Sequence, residues 1–207
     1  MAFQSIWYYT NLDPRIVDII EEDLSKTYDS SFTESLIKHK NTSILDKNVR
    51  NSHHAWIPTN HWISGFIWHY AHKANKENFL YELDHIVTSL QYTIYQQGQF
   101  YKWHTDQSTD KFYKPLPSNT DENLKENFLN QNTESVRKLS GVLQLSDPND
   151  YEGGELQIMA EDGSSYFAPK EQGTIIFFDS RSNHRVRKVA KGIRKSLVFW
   201  VKGPRWK

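Results

Sequence analysis

YQQGQFYKWHTD, residues 95–106, is the stretch on which the reading of this chain turns. It completes a β-prone run over residues 91–97, breaks at Gly98, and resumes as an aromatic-rich run ending on His104, Thr105 and Asp106. If residues 101–107 are extended, positions two apart project to one side, so His104 and Asp106 share a face. His184 and then Arg194 follow far downstream. Two imidazoles and one carboxylate can hold a divalent metal facially and leave three positions open. Iron(II) uses that arrangement to activate dioxygen beside a chelating co-substrate. An isolated His-x-Asp is equally compatible with a hydrogen-bonded surface pair, so the surrounding chain has to decide.

Outward from that stretch the pattern is rich in short strands. Phe79, Tyr81 and Leu83 alternate with polar residues, and further runs lie at 139–146, 154–160, 173–179 and 195–201, with Asp162-Gly163 as the turn of a hairpin. Many short strands favour a barrel or sandwich over alternating β-α units. Two helices are expected upstream. Asp13-Pro14 reads as an N-cap with proline at the first helical position, and Ile16, Ile19, Ile20 and Leu24 recur at helical spacing through Tyr28, their isoleucines covering a sheet. A second helix runs from Asn60 to Asn75, with Trp62, Phe66, His69 and Tyr70 near one face. His69 and His72 have a spacing that suits a metal, but no carboxylate or third imidazole accompanies them, and they read as partly exposed helical histidines. The fold class predicted is an all-β core with helical support, the N-terminal helices packed on one sheet. One domain over residues 1–207 is the economical division, with 1–88 as helical support and flanking strands and 89–202 as the core.

The chain has 207 residues, enough for one sizeable core. Lys plus Arg and Asp plus Glu number 25 each, so no overall field draws in a polyanion, which disfavours a nucleic-acid partner. Cysteine is absent, excluding disulfides, thiolate metal sites and a Cys nucleophile. Residues 1–9 lack the basic and apolar segments of a secretory leader, and no apolar stretch is long enough to span a bilayer, so the expected location is cytoplasmic with no membrane contact. Residues 108–134 are polar and hold Lys-Pro-Leu-Pro at 114–117; a loop this long, starting just after Asp106, reads as a substrate-covering lid or as a surface insertion, with a short helix near 122–128. Gly153-Gly154 marks a tight connection, and Asp179 either orients a metal ligand or caps a turn. The basic residues Arg181, Arg185, Arg187, Lys188, Lys191 and Lys195 surround His184 and read mainly as a solvated rim.

Four motifs occur in order: residues 95–106; Leu145-Ser146-Asp147-Pro148 with Tyr151-Glu152-Gly153-Gly154-Glu155-Leu156; Gly173-Thr174-Ile175-Ile176-Phe177-Phe178 leading to His184-Arg185-Val186; and Gly192-Ile193-Arg194-Lys195-Ser196. Through them the chain resembles the iron(II)- and 2-oxoglutarate-dependent oxygenases over residues 90–202. The likeness is to the prolyl 4-hydroxylase-like branch, which includes the hypoxia-sensing type and bacterial and phage hydroxylases. The resemblance implies a double-stranded β-helix (a jelly-roll, cupin-like) with His104, Asp106 and His184 as ligands of Fe(II). Arg194 then binds the far carboxylate of 2-oxoglutarate, a role that suits a planar guanidinium in an otherwise apolar strand. Ser196 shares its strand face and can share the contact. Tyr95 matches a tyrosine that bonds a co-substrate carboxylate, although its offset to His104 is one residue shorter than in some relatives. Tyr101 matches an aromatic position that contacts substrate. Gln144 stands where the hypoxia-sensing type has a tyrosine reaching the oxoglutarate pocket. Apart from the resemblance, both tyrosines read as packed strand aromatics.

The implied reaction consumes dioxygen as co-substrate, converts 2-oxoglutarate to succinate and carbon dioxide, and hydroxylates a partner molecule, with ascorbate as a stimulant. The favoured partner is a proline-containing peptide or protein, modified at C4. A free amino acid or other small metabolite is the alternative. Repair of nucleic acid is disfavoured, because no interleaving of aromatic and basic residues is evident. A non-enzymatic jelly-roll would leave the three donors and Arg194 without a purpose.

Overall fold

Asp13 starts the first helix as its type requires. Its carboxylate accepts the Arg15 amide at 2.9 Å, and Pro14 occupies the first turn, where a missing N–H costs nothing. The structure, a computed structural model, describes residues 7–39, 42–87, 89–107, 135–160 and 162–204. Segment 108–134, with its expected lid or insertion, lies outside the described residues.

In chain order the elements are β1 (Trp7–Asn11), α1 (Pro14–Tyr28), β2 (Thr33–Glu34), β3 (Ile37–His39), β4 (Thr42–Ile44), β5 (Arg50–Asn51), β6 (His53–Pro58) and α2 (Trp62–Ala74). A π-helical turn, Asn75–Phe79, ends α2. Then follow β7 (His85–Ile86), β8 (Ser89–Gln96), β9 (Phe100–His104), β10 (Ser135–Gln144), β11 (Tyr151–Gly153), β12 (Leu156–Met159), β13 (Ser165–Phe167), β14 (Thr174–Asp179), β15 (His184–Val186) and β16 (Val189–Pro204). The large sheet runs β1-β14-β10-β16-β8-β6-β2, with β7 and β11 also pairing β16. The small sheet runs β13-β12-β15-β9-β5, and β3 pairs β4 alone. The β12–β13 hairpin turns at Asp162-Gly163 as expected.

Strand alternation sorts the large sheet's side chains between two cores. On β14, Ile175 and Phe177 join α1 and α2 in one cluster, while Ile176 and Phe178 meet Leu156 and Ile158 of the small sheet. The helices therefore cover one face of the large sheet and the small sheet covers the other, giving the expected double-stranded β-helix with helical support. On β16, Leu197, Phe199 and Val201 face the helices. The intervening positions, Arg194, Ser196 and Val198, are left to the space between the sheets. That period of two is what delivers polar residues to an otherwise apolar interior.

Three expectations are corrected. Ile19 is exposed and the buried stripe of α1 is Val17, Ile20 and Leu24, because the axis of burial lies one position from the one the isoleucines suggest. On α2 the buried face is Ile63, Ser64, Ile67, Ala71 and Ala74, small enough for close packing, while Trp62 is exposed and donates through its indole to Asp23. His69 and His72 are exposed, as expected. Residues 80–84 form no strand: the Asn75 side chain holds both the amide and the carbonyl of Tyr81, and Leu80 takes a left-handed turn at φ 55°.

His54 on β6 is buried, sharing a 2.9 Å hydrogen bond with the Ser35 hydroxyl, which also accepts from Ser52 at 2.9 Å. Burial, then the charges of Arg50 and His53, push its imidazole down to about 4. Between about pH 4 and the unfolded value near 6.5 the unfolded chain binds a proton that the native chain refuses. The stabilisation is thus full above that upper value and is lost as pH falls through the window. Urea midpoints should drop from pH 7 to pH 4.5, and less steeply in His54→Gln; parallel slopes for the two proteins would remove His54 as the cause.

Candidate metal centre and its buried arginine

The β9–β15 register sets His104 opposite His184. β9 ends at His104, so Asp106 lies in the bend beyond it, not in an extended run as the sequence suggests. It still converges, because the amides of Asp106 and Gln107 both donate to the Ser180 carbonyl, at 3.1 and 3.0 Å. His184 Nε2 lies 3.4 Å from Asp106 Oδ2 and His104 Nε2 lies 3.8 Å from Oδ1. All three donor atoms fall within 4.8 Å of one another.

Each imidazole is oriented by a backbone carbonyl. His104 Nδ1 lies 2.8 Å from the Lys102 oxygen and His184 Nδ1 lies 3.0 Å from that of Ser182. A proton on each Nδ1 satisfies those contacts and leaves each Nε2 lone pair directed at the shared space. Tyr101 stacks on His104 with centroids 3.5 Å apart, and Phe178 meets His184 at 4.7 Å. Burial, then the neighbouring His184, push the His104 imidazole down to about 3, so it stays a neutral donor. Burial alone would raise the Asp106 carboxyl. The imidazoles, Arg137 and the Ser140 hydroxyl, which donates to Oδ2 at 2.6 Å, reverse that and hold it well below the usual carboxylate range. An anionic Asp106 and a neutral His104 are the states in which those two side chains can ligate a divalent cation.

Arg194 is 1% exposed. Its Nη2 donates to Gln144 Oε1 at 2.8 Å and its Nη1 to Ser196 Oγ at 3.3 Å, while Nε has no partner. No carboxylate among the described residues neutralises it, so the interior holds a guanidinium in need of an anion. Tyr95, its cross-strand neighbour on β8, places its ring 5.6 Å from the guanidinium carbon. Tyr95 and Tyr101 belong to one apolar cluster with Val186 and Val189, which joins the arginine to the metal donors. Burial pushes the Tyr101 phenol up to about 12, leaving it neutral. The donor set fits a divalent iron, and the orphaned Nε fits the far carboxylate of a dicarboxylic oxo acid.

The eight site residues expected from the sequence thus gather in two linked groups: His104, Asp106, His184 and Tyr101 in one; Arg194, Gln144, Ser196 and Tyr95 in the other. Sequence reading missed Ser140, which also contacts Ser180 at 3.0 Å, and Arg137, which donates to the Asp106 carbonyl at 3.2 Å and lies over Trp200 at 4.2 Å. The alternation of 139–146 was the available signal for Ser140. Asp179 caps a turn, bonding the Arg181 amide and guanidinium. The basic rim is largely engaged within the protein: Arg181 with Asp179, Arg187 with Glu155, Lys191 with Glu152 and Lys195 with Glu21. Folding also stacks Arg185 over Trp103 and Arg187 over Phe167, pairs the linear sequence does not display. No helix among the described residues is long and apolar enough to cross a membrane.

The chain is 29% identical over 132 residues to a PKHD-type hydroxylase of a Synechococcus strain, a match covering 62% of this chain and 50% of that protein. It is 32% identical over 111 residues to one of Xylella fastidiosa, covering 53% and 42%. It spans about half the length of the curated relatives it matches. Among solved structures it is similar in fold to a Pseudomonas putida prolyl-4-hydroxylase, with TM-score 0.65, 16% identity and coverage of 99% and 95% of the two chains. A prolyl hydroxylase from Trichoplax adhaerens, in complex with a hypoxia inducible factor oxygen degradation domain peptide fragment, gives TM-score 0.70 at 15% identity, covering 96% and 84%. Residues 90–202, which carry both linked groups, match the 2OG-Fe(II) oxygenase superfamily, and the chain belongs to it.

Proposed function

We propose that this chain is an iron(II)- and 2-oxoglutarate-dependent dioxygenase that hydroxylates a peptidyl residue, with proline favoured and C4 the favoured carbon, releasing succinate and carbon dioxide. The observation that carries this reading is the pairing of a facial His-Asp-His donor set with a buried, carboxylate-free arginine across one interior. His104, Asp106 and His184 would hold the metal, Arg194 with Ser196 and Gln144 the distal carboxylate of the oxo acid, and Tyr95 its flank. Residues 89–202 would be the catalytic core and 1–88 its support.

The metal with its oxo acid supplies the oxidising chemistry. The chain's own residues do the rest. The Lys102 and Ser182 carbonyls fix the imidazoles, Ser140 and the Ser180 carbonyl fix Asp106, and the Tyr101 and Phe178 rings pack against His104 and His184. The preference for a peptide is supported by the names of the relatives and by the peptide held by the Trichoplax adhaerens enzyme. Incubation with a library of proline-containing peptides should add one oxygen atom to proline, by mass spectrometry, only when iron(II), 2-oxoglutarate and oxygen are all present. Hydroxylation of a free amino acid with no peptide modified would transfer the reading to a metabolite hydroxylase.

A further inference from the structure

A second polar side chain is enclosed with Arg194. Tyr151 on β11 is 4% exposed and its backbone pairs with Gly192, two residues before Arg194 on β16. Glycines allow this approach. A Cβ on Gly192 would lie 2.1 Å from the Asp150 carbonyl oxygen, and one on Gly154 would lie 3.1 Å from Arg194 Cδ and 3.4 Å from Tyr151 Cε2. The phenol and the guanidinium stem are therefore packed over the same glycine, close enough for the charge of Arg194 to reach the Tyr151 hydroxyl. Lys170 lies with Nζ 4.2 Å over the Tyr151 ring, anchored to the Gly153 carbonyl at 3.4 Å.

A phenol hydroxyl has one proton to donate. Burial raises the Tyr151 phenol above its ordinary range, the charge of Arg194 opposing this and Glu155 and Glu171 adding to it, so the proton is present at neutral pH. Beside it, Arg194 Nε is likewise uncommitted. Two convergent donors on one buried cation describe a site for a carboxylate whose charge Arg194 balances and whose second oxygen the phenol can bond. We infer that Tyr151, through its hydroxyl, works with Arg194 to select an oxo acid that carries a second, distal carboxylate. Gly154 lets the two share this space, since a Cβ there would crowd Arg194 Cδ at 3.1 Å and touch the Tyr151 ring at 3.4 Å. The inference rests on the oxo-acid reading proposed above.

Calorimetric titration of oxygen-free, iron(II)-loaded protein separates the two. The ligands are 2-oxoglutarate and 2-oxopentanoate, which has the same carbon chain without the distal carboxylate. Wild-type protein should strongly prefer 2-oxoglutarate. Tyr151→Phe should weaken 2-oxoglutarate binding about tenfold, the usual worth of a hydrogen bond to a charged group, and leave 2-oxopentanoate unchanged. Equal weakening of both ligands, or no weakening of either, overturns the role of Tyr151 while leaving the oxo-acid reading intact. A wild type with no preference for 2-oxoglutarate overturns that reading and the inference with it. Should the Phe variant fail to fold, 3-fluorotyrosine at position 151 keeps the hydroxyl: its fluorine resonance should shift with 2-oxoglutarate and not with 2-oxopentanoate. The same response to both ligands overturns the inference.

Discussion

Replacing His104, Asp106 or His184 with Ala should lower iron(II) affinity by more than about 100-fold, since even outer partners of a metal ligand are worth 10–100-fold, and should reduce coupled turnover to near background. The three donors lie within 4.8 Å of one another and each is oriented before any metal arrives. Removing one leaves two, which no longer define a facial set. Metal analysis of folded variants, checked by circular dichroism, reads the first effect, and succinate release reads the second. Ser140→Ala should show a smaller loss, because Asp106 keeps its backbone anchor at Ser180 when the hydroxyl is gone. Full activity in metal-stripped wild-type protein would sink the assignment. Another divalent ion filling the site would not, since affinity alone does not select iron.

The second large effect is expected at the other end of the interior. Arg194→Ala should raise the 2-oxoglutarate dissociation constant at least tenfold, since breaking a desolvated charged pair costs about 3–5 kcal/mol. Arg194→Lys should recover only part of it, because an ammonium cannot bond Gln144, Ser196 and a carboxylate in one plane. Binding to the native state alone raises its stability, so 2-oxoglutarate should raise the melting temperature of metal-loaded wild type and barely that of Arg194→Ala. Equal affinity in the folded variant would show that another residue holds the anion.

The strands β9 and β12 and the hairpin turn at Asp162-Gly163 were legible because turn chemistry and strand alternation are local properties. So was the start of α1, where Asp13 and Pro14 act within one turn. Boundaries were less so. Phe79, Tyr81 and Leu83 alternate like a strand, but the Asn75 amide captures the Tyr81 backbone first, a competition decided by one side chain's reach. The helix stripes drifted for a related reason. Ile19 is apolar enough to be buried, yet helix orientation follows the whole packed surface, and Val17 fits where Ile19 points away.

For the candidate site, the sequence by itself determined the residue types and their order: His104, Asp106, His184 and Arg194 on runs whose periodicity is written in the chain. It also determined that thiolate chemistry is absent, since there is no cysteine. Only the tertiary structure decided which neighbours complete them. Ser140 and Ser180 come to Asp106 from β10 and the bend after β14, Gln144 to Arg194 from across the sheet, and Tyr151 through a close approach at Gly154. The cause is that strand pairing joins residues far apart in sequence. A single-residue change of register would turn each of these partners to the opposite face, and linear spacing carries no record of register between distant strands.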